Sequence, residues 1–452
     1  MSLHAKNSTV EKYYSGGLSE LVNRPSALTY SFFKDWFMGT ESIGSAMKLL
    51  GLPYEKTNLP LLIVHNSELF VDLNAEEKTL YKNTIFFYKK QQLENKTPTL
   101  GVSVLKCFSP LCLMNTLKIV LVQSQWVSNP KKAVERAQDM VNKIPENTSD
   151  SIAGVENLLA KKVWPEVIAV GMMSEFFSQL VVREGKRNRA VIDEYITSNL
   201  TLHDWFFKSI ADQVKVKQNE MSFLEYTKLY GLRSDKDYEL VSPRWYEIES
   251  TLKKRIGQST SHPISRAADL QVSPKLKSLI DASVSLQLLR SEAKKKTLVH
   301  IDMLRQLLLK QAKNVKNIDH LSKEDIMQNN YYKKQQTNTD EKKQKTKLVP
   351  PISGHGTTVS QGEAIGVVMH VSNNEIDIPK GSIGVFPNAS PEFAIQYSKC
   401  AGMIFLKGGQ TSHGAIVARE YGIPAIVDHT AEALENGGRI ELNANSGEWK
   451  VK

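Results

Sequence analysis

A segment near the end of the chain has almost nothing to bury, and it divides the sequence in two. Residues 331–350 contain six lysines, two acidic residues and few apolar side chains. Such a composition cannot offset the conformational entropy lost on folding, so this segment is predicted to be a flexible linker. About 20 flexible residues have a root-mean-square reach of roughly 25 Å and a full extension of roughly 70 Å. The residues that follow the linker are therefore expected to move relative to those that precede it.

The charge differs on the two sides of this segment. The whole chain carries 58 Lys and Arg against 48 Asp and Glu, and residues 351–452 carry 7 against 10. The last 102 residues are therefore net −3, and residues 1–350, with 51 basic and 38 acidic residues, are net +13. A basic body attracts anions, but charge alone supplies no element that reads a nucleic-acid groove. No nucleic-acid motif is found, and we expect no nucleic-acid partner.

The first 330 residues change character near residue 129. Residues 1–128 are predicted to be a mixed α/β region, in which Leu28–Phe37 forms a helix capped by Ser26 or Thr29. Two strands, 61–64 and 69–73, are predicted about a turn at 65–67. Residues 129–330 have helical spacing, and a helical bundle is predicted. Its helices are expected over 134–144, with Pro130 in the first turn, over 155–182 and over 276–309.

Several features exclude other classes of protein. The most apolar long segment, Pro98–Val127, is interrupted by Lys106 and Lys118 before about 18 clean residues accumulate, so no transmembrane helix and no membrane partner are expected. The start of the chain lacks the hydrophobic run of a signal peptide, which favours a cytoplasmic protein. The three cysteines, Cys107, Cys112 and Cys400, have no zinc-type spacing, and no metal site is predicted.

After Pro351 the pattern changes to short strands separated by glycines. Strands are predicted over 364–371, 382–386, 402–406, 424–427, 439–442 and 448–451. About 100 residues of this kind make a compact domain of mixed β and α type, so residues 351–452 are predicted to be a separate domain. The fold class is multidomain α+β.

One segment of this last domain, around His413, contains the clearest local motif of the sequence. An apolar strand, 403–406, leads into Gly408 and Gly409, and Thr411 or Ser412 is able to cap a helix that covers residues 415–421. Gly422 ends this helix, and Pro424 prevents it from resuming. His413 is thereby predicted to lie at the N-terminus of the helix.

That position suits a histidine that carries a phosphoryl group. Free backbone N–H groups and the positive end of the helix dipole favour anionic oxygens and disfavour imidazolium. A neutral imidazole keeps the lone pair needed to attack phosphorus. Gly408 and Gly409 remove side chains where a second substrate approaches, and Thr411 and Ser412 add hydroxyl donors. A structural histidine beside a capped helix is the alternative.

The segment from Gly408 to Val427 resembles the signature of the phosphohistidine, or swivelling, domain of phosphoenolpyruvate-utilising enzymes. That family includes phosphoenolpyruvate synthase, pyruvate phosphate dikinase and rifampicin phosphotransferase. The resemblance implies a C-terminal β/β/α swivelling domain whose phosphorylated residue is His413. Asp428 departs from the family, whose members usually have glycine there. Arg419 lies on another face of the helix, and we expect it to pair with an acid.

Residues 1–330 have a weaker likeness to the helical region that precedes the swivelling domain in these enzymes. Leu232 occupies a position where relatives often have histidine, which puts the usual acceptor chemistry in doubt. Three arginines are able to bind an anionic substrate bidentately, and ion pairs between helices explain them equally well: Arg233, Arg244 and Arg290.

The resemblance also implies a nucleotide site that this sequence does not contain. Such enzymes typically have an ATP-grasp domain, but no Gly-x-x-x-x-Gly-Lys loop is present and the first 350 residues are assigned to other regions. We therefore predict a phosphotransferase component. A separate ATP-grasp subunit, which brings ATP and Mg²⁺, phosphorylates or pyrophosphorylates His413, and the group passes to a small-molecule acceptor in the helical body. No cofactor is expected on this chain itself.

Two alternatives stay open. In the first, the chain is a non-catalytic docking or scaffold partner of an ATP-grasp protein. In the second, it activates a carboxylate or enol for condensation in natural-product biosynthesis.

Overall fold

The computed structural model describes most of the chain. The described residues are 12–13, 25–37, 42–55, 57, 60–65, 68–88, 100–259, 270–312, 315, 318–328, 353–372, 378–389, 393–408 and 412–452. The predicted linker, 331–350, lies outside them. The domain boundaries drawn from the sequence stay predictions.

The first region combines short helices with small sheets, as predicted. Helix α1 (Ala27–Trp36) begins after Ser26, whose hydroxyl accepts a hydrogen bond from the Thr29 backbone N–H. Its neighbours are α2 (Ser42–Leu50) and α3 (Leu73–Glu76). The predicted hairpin is confirmed, because β2 (Leu62–His65) pairs antiparallel with β3 (Glu68–Asp72). Strand β1 (Lys12–Tyr13) pairs with the other edge of β3, and β4 (Phe86–Tyr88) pairs with β5 (Leu100–Val102).

Ten helices follow between residues 110 and 327 of the described chain, and proline or a capping side chain starts most of them. Pro110 and Pro130 occupy first-turn positions, where the missing N–H has no cost. The helices are α4 (Pro110–Ser128), α5 (Pro130–Lys143), α6 (Ile152–Leu158), α7 (Trp164–Glu184), α8 (Arg189–His203), α9 (Trp205–Lys217), α10 (Phe223–Tyr230), α11 (Glu249–Gln258), α12 (Pro274–Gln311) and α13 (Lys323–Met327).

The two longest helices, α7 and α12, form the centre of the bundle. Leu286, Leu298 and Ile301 of α12 and Val170 of α7 are fully buried in one continuous core. One helical stretch of the described residues, Ile152–Glu184, is long and apolar enough to cross a membrane by length and composition alone, and 61% of its most apolar window is buried. Burial on that scale is typical of a core helix.

The C-terminal domain is built around one mixed sheet of eight strands. Its order is β6-β13-β12-β8-β9-β10-β11-β7, and the central strands β8 to β11 run parallel. The strands are β6 (Ser353–His355), β7 (Thr357–Ser360), β8 (Glu363–His370), β9 (Ser382–Phe386), β10 (Cys400–Phe405), β11 (Ala425–Val427), β12 (Arg439–Asn443) and β13 (Glu448–Val451). Two described helices, α14 (Ala394–Tyr397) and α15 (His413–Glu420), belong to this domain. The six predicted strands are confirmed, and the fold class is multidomain α+β.

Candidate functional site

Helix α15 starts at His413, as the sequence predicts. Strand β10 ends at Phe405, and Ser412 precedes the helix in an extended conformation, with φ −69° and ψ 156°. The Ser412 side chain, which is 5% exposed, makes no capping hydrogen bond to the helix. His413 therefore occupies the first helical position, at the positive end of the helix dipole. The His413 side chain, Gly409 and Thr411 lie outside the described residues.

Two glycines, Gly408 and Gly414, allow α15 and the loop before it to lie close to Ala389, which follows strand β9. A Cβ on Gly414 would lie 2.9 Å from Cα of Ala389 and 2.9 Å from Cε1 of Phe405. The Gly414 backbone N–H donates to the Ala389 carbonyl at 2.8 Å. Gly408 has a φ of +154°, and a Cβ there would lie 3.2 Å from Cβ of Ala389. Sequence reasoning assigned Gly408 to substrate access and missed Gly414, whose small size is needed for packing.

The exit of the helix also follows the sequence. Gly422 has a φ of +60°, its N–H donates to the Arg419 carbonyl, and the Ile423 N–H donates to the Ala418 carbonyl at 2.9 Å. Asp428 is 4% exposed and accepts a hydrogen bond from Nε1 of Trp449 at 2.7 Å. This carboxylate ties the exit loop to the last strand.

Helix α15 packs against helix α8 of the helical body, by which we mean the helices between residues 110 and 327. The Arg419 Nε donates to Oγ1 of Thr197 at 3.1 Å, and its Nη1 donates to the Val359 carbonyl at 3.0 Å. The Thr201 hydroxyl donates to Oε1 of Glu420 at 3.0 Å. The apolar core around α15 includes two residues of the helical body, Leu200 and Phe207. The C-terminal domain is therefore docked on the body through the helix that begins at His413.

The charged groups at this contact have neutral hydrogen-bond partners. Burial lowers the pKa of Arg419 to about 10, and the nearby charge of Asp193 opposes that shift. Burial raises the pKa of Glu420, which the hydrogen bond from Thr201 partly offsets. The direct partners of Arg419 are a hydroxyl and a carbonyl, so the expected ion pair with an acid is absent from the described contacts. Desolvation without a direct counter-ion makes this contact weaker than its apolar area suggests.

The loop before α15 also reaches the N-terminal region. The Lys407 ammonium lies 5.3 Å from the centroid of the Phe70 ring in β3. Lys407, before the histidine loop, therefore contacts the N-terminal region, and Arg419, after it, contacts the helical body.

Two of the three predicted substrate arginines are buried in one polar cluster. Arg233 forms an ion pair with Asp237 at 3.2 Å and lies 4.8 Å from the centroid of the Trp245 ring. Arg244 forms an ion pair with Asp302 at 3.4 Å and donates to the Asp237 carbonyl at 2.6 Å. These contacts fit the alternative explanation by ion pairs. The third arginine, Arg290, is half-buried on α12.

The same cluster contains an arginine that sequence reasoning missed. Arg305 forms an ion pair with Glu247 at 2.8 Å and is 6% exposed. Nη2 of Arg244 and Nε of Arg305 are buried without a hydrogen-bond partner within the described structure, whereas Nε of Arg244 faces the Asp302 carboxylate at 3.4 Å. Burial lowers the pKa of Arg244, and the charge of Arg305 contributes to that shift. Unpaired, buried N–H donors of this kind are suited to an anion.

The sequence did contain an indication that Arg305 is unusual. It lies between Leu304 and Leu308 on the apolar face of α12, where a charged residue is unusual. No group of three or more His, Cys, Asp or Glu side chains suited to a metal ion occurs among the residues that the structure describes.

Comparison with known proteins finds similarity in the C-terminal domain. Residues 378–447 match the model of the "PEP-utilising enzyme, mobile domain". The rifampicin phosphotransferase of Bacillus subtilis is 33% identical over 95 residues, which cover 20% of this chain and 11% of that protein. The phosphoenolpyruvate synthase of Neisseria meningitidis is 30% identical over 107 residues, which cover 22% and 14%. The pyruvate kinase of Sporosarcina psychrophila is 40% identical over 70 residues, which cover 15% and 12%.

These matches are partial. The chain covers only 11% to 14% of the length of these curated relatives. Among solved structures, the aconitase X of Thermococcus kodakaraensis is similar at 18% identity and a TM-score of 0.19, over 22% of this chain and 98% of that one.

Proposed function

Because residues 378–447 match the mobile domain of phosphoenolpyruvate-utilising enzymes, we propose that this chain is a phosphotransferase component that carries a phosphoryl or pyrophosphoryl group on His413. The observation that carries the proposal is the docking of α15, the helix that starts at His413, on the helical body. Relatives named as phosphotransferase and phosphoenolpyruvate synthase support the reaction class.

The group moves in two displacements at phosphorus. A neutral imidazole nitrogen of His413 forms an N–P bond while the P–O bond to the departing nucleotide breaks, leaving ADP for a phosphoryl group or AMP for a pyrophosphoryl group. An oxygen of the acceptor then forms an O–P bond, and the N–P bond breaks to restore the imidazole. Positioning and charge neutralisation dominate such steps, and the helix N-terminus contributes both.

The nucleotide is proposed to reach His413 on a separate ATP-grasp subunit. That subunit would bring ATP and Mg²⁺, and this chain would hold neither by itself. The mobile domain would leave α8, collect the group at the partner and return to the docked position. The weak polar contacts of Arg419 and Glu420 suit a domain that must be released.

The acceptor is proposed to be a small anionic molecule in the helical body. The buried donors Nη2 of Arg244 and Nε of Arg305, which have no hydrogen-bond partner in the described structure, support an anion site near Arg233. A non-catalytic docking role and a substrate-activating role in natural-product biosynthesis remain the alternatives, and the intact motif from Gly408 to His413 favours transfer over docking alone.

The test has one arm that needs no partner. Purified protein is treated with phosphoramidate, which phosphorylates accessible histidines, and the acid-labile phosphoryl group is located by peptide mass spectrometry. We expect labelling of His413 that His413→Ala abolishes, while His203→Ala, which removes an exposed histidine of α8, leaves it unchanged.

In the second arm, β- or γ-labelled ATP is added with an ATP-grasp protein of the same genome. Acid-labile label on wild type and none on His413→Ala is expected. Equal labelling of the wild type and His413→Ala in both arms would overturn the proposed role of His413.

A further inference from the structure

Helix α4 and the loop before it expose an unusual amount of apolar surface. Ten large apolar residues between Val102 and Leu121 are 48% to 85% exposed, and Leu105 and Phe108 are at the upper end of that range. Their exposed fractions add up to about six complete side chains, or roughly 600 Å² at about 100 Å² of apolar area each. The largest exposed apolar patch on a typical monomer measures about 300–600 Å² and is often functional, so a patch at the top of that range indicates an interaction surface.

The opposite face of α4 is already used. Cys112, Thr116 and Trp126 are buried against the body, and Trp126 packs edge-on against Phe176 at 5.5 Å between ring centroids. The helix is therefore fixed to its own domain and presents the other face outward. The outward face carries Leu113, Leu117 and Val120, with Met114 and Leu121 beside them.

The spacing of the outward residues is that of a helix-pairing seam. Leu113, Leu117 and Val120 are separated by four and three positions, the a/d spacing at which two helices interdigitate. Such a seam is self-complementary when a second copy packs antiparallel about a twofold axis. With the axis between residues 118 and 119, Leu117 of one copy lies beside Val120 of the other.

The charges around the seam argue against a bilayer as the occupant. A helix that lies on an anionic membrane has a face rich in lysine and arginine. Helix α4 has one charged residue, Lys118, at the edge of the apolar strip, and its opposite face is buried in the protein. A second copy needs no cationic face, and the roughly 600 Å² of apolar side chains with the surrounding polar atoms approaches the ~800 Å² per partner of a stable interface.

We propose that the α4 surface, defined as the exposed apolar residues from Val102 to Leu121, is the contact through which two copies of this chain associate. The two α4 helices lie antiparallel, and Leu117 packs against Val120 of the second copy. None of these residues belongs to the apolar core shared by α8 and α15. The dimer therefore leaves the docking contact of the mobile domain free, and the inference does not rest on the proposed phosphotransfer.

The rim of this contact carries like charges. Residues 100–134 include four lysines and no acidic residue. Identical basic rims repel each other, and salt screens that repulsion, so the dimer tightens as the salt concentration rises. An acidic partner protein would give the opposite dependence on salt.

The experiment measures the mass of the full chain by analytical ultracentrifugation at low and high salt. Wild type is expected to be a dimer, and Leu117→Glu or Val120→Lys alone is expected to raise the dissociation constant by at least about 100-fold, because each buries unpaired charges at the centre of the contact. Leu117→Glu combined with Val120→Lys places opposite charges across the seam and is expected to restore the dimer.

Leu224→Glu is the matched control, since Leu224 is an exposed leucine of α10, 65% accessible and outside the α4 surface. It is expected to leave the dimer intact, and circular dichroism checks that every variant is folded. A monomeric wild type overturns the proposal, as does a dimer that survives both single substitutions. Binding of a monomeric wild type to phosphatidylserine vesicles would assign the α4 surface to a bilayer instead.

Discussion

Removing two hydroxyl groups of α8 is expected to release the C-terminal domain from the helical body. Thr197 and Thr201 supply the polar partners of Arg419 and Glu420 at the docking contact, at 3.1 Å and 3.0 Å. The double substitution Thr197→Val and Thr201→Val keeps the shape of both side chains and removes both partners. It leaves α15 and the histidine motif unchanged, so any effect arises from docking.

The size of the effect follows from the burial of the two charged groups. Loss of a hydrogen bond to a charged, buried group costs about 1.5–3 kcal/mol, because the charge keeps its desolvation penalty. Arg419 retains its bond to the Val359 carbonyl, which moves with the mobile domain, so the loss is incomplete. We therefore expect docking to weaken by about 3 kcal/mol for the pair, a factor of roughly 100 in the docking equilibrium.

The assay is the transfer efficiency between one fluorophore on the helical body and one on the C-terminal domain. The double variant is expected to show a lower efficiency and a larger radius of gyration by solution scattering than wild type. Tyr195→Phe is the matched control, since Tyr195 lies on the same helix but donates to Asp281 of the body at 3.1 Å. If the double variant retains the wild-type efficiency and radius, the docking contact is not held by these hydroxyls and the argument fails.

Three further perturbations test other parts of the structure. Gly414→Ala is expected to cost about 1–3 kcal/mol of stability and to reduce labelling of His413, since its Cβ would lie 2.9 Å from Ala389. Gly171→Ala is the control in thermal unfolding and should not destabilise the protein, because a Cβ there has no neighbouring atom within 4 Å. Asp428→Ala leaves Nε1 of Trp449 unpaired and is expected to lower the free energy of unfolding in urea by about 1–3 kcal/mol, whereas Asp428→Asn retains an acceptor; equal losses would contradict this role. Burial lowers the pKa of His300 below 6.5, so on acidification the unfolded chain binds a proton before the folded chain does. The free energy of unfolding is therefore expected to fall as the pH drops below 6.5, by up to about 1.4 kcal/mol per pH unit. His300→Gln should flatten this part of the stability curve, and an unchanged slope would exclude His300 as its source.

The sequence predicted those elements whose signals are local. Helix α15 was placed correctly because a residue suited to an N-cap, Ser412, and a glycine with positive φ, Gly422, bound it on either side. Strands β6 and β7 were missed. They are short and rich in glycine, serine and threonine, and their strand conformation comes from pairing with β13 and β11, which are distant in sequence.

The docking contact and the α4 surface could not be predicted for a related reason. Arg419 and Thr197 are 222 positions apart, and nothing in either local sequence links them. The segment from Pro98 to Val127 was recognised as the most apolar of the chain, but an apolar helix has the same composition whether it is buried or exposed. The burial of Cys112, Thr116 and Trp126 in the folded chain shows which face of α4 is covered.

The predicted linker sets how strong the docking contact needs to be. A short flexible linker holds the mobile domain at an effective concentration of the order of millimolar relative to the body. A contact with an intrinsic dissociation constant near 1 mM, about −4.1 kcal/mol, is then half occupied. Two hydrogen bonds to charged groups and an apolar contact at Leu200 and Phe207 favour docking, while burial of Arg419 and Glu420 opposes it. The proposed alternation between two stations requires this balance, because a contact stronger by 4 kcal/mol would keep the domain docked nearly all the time.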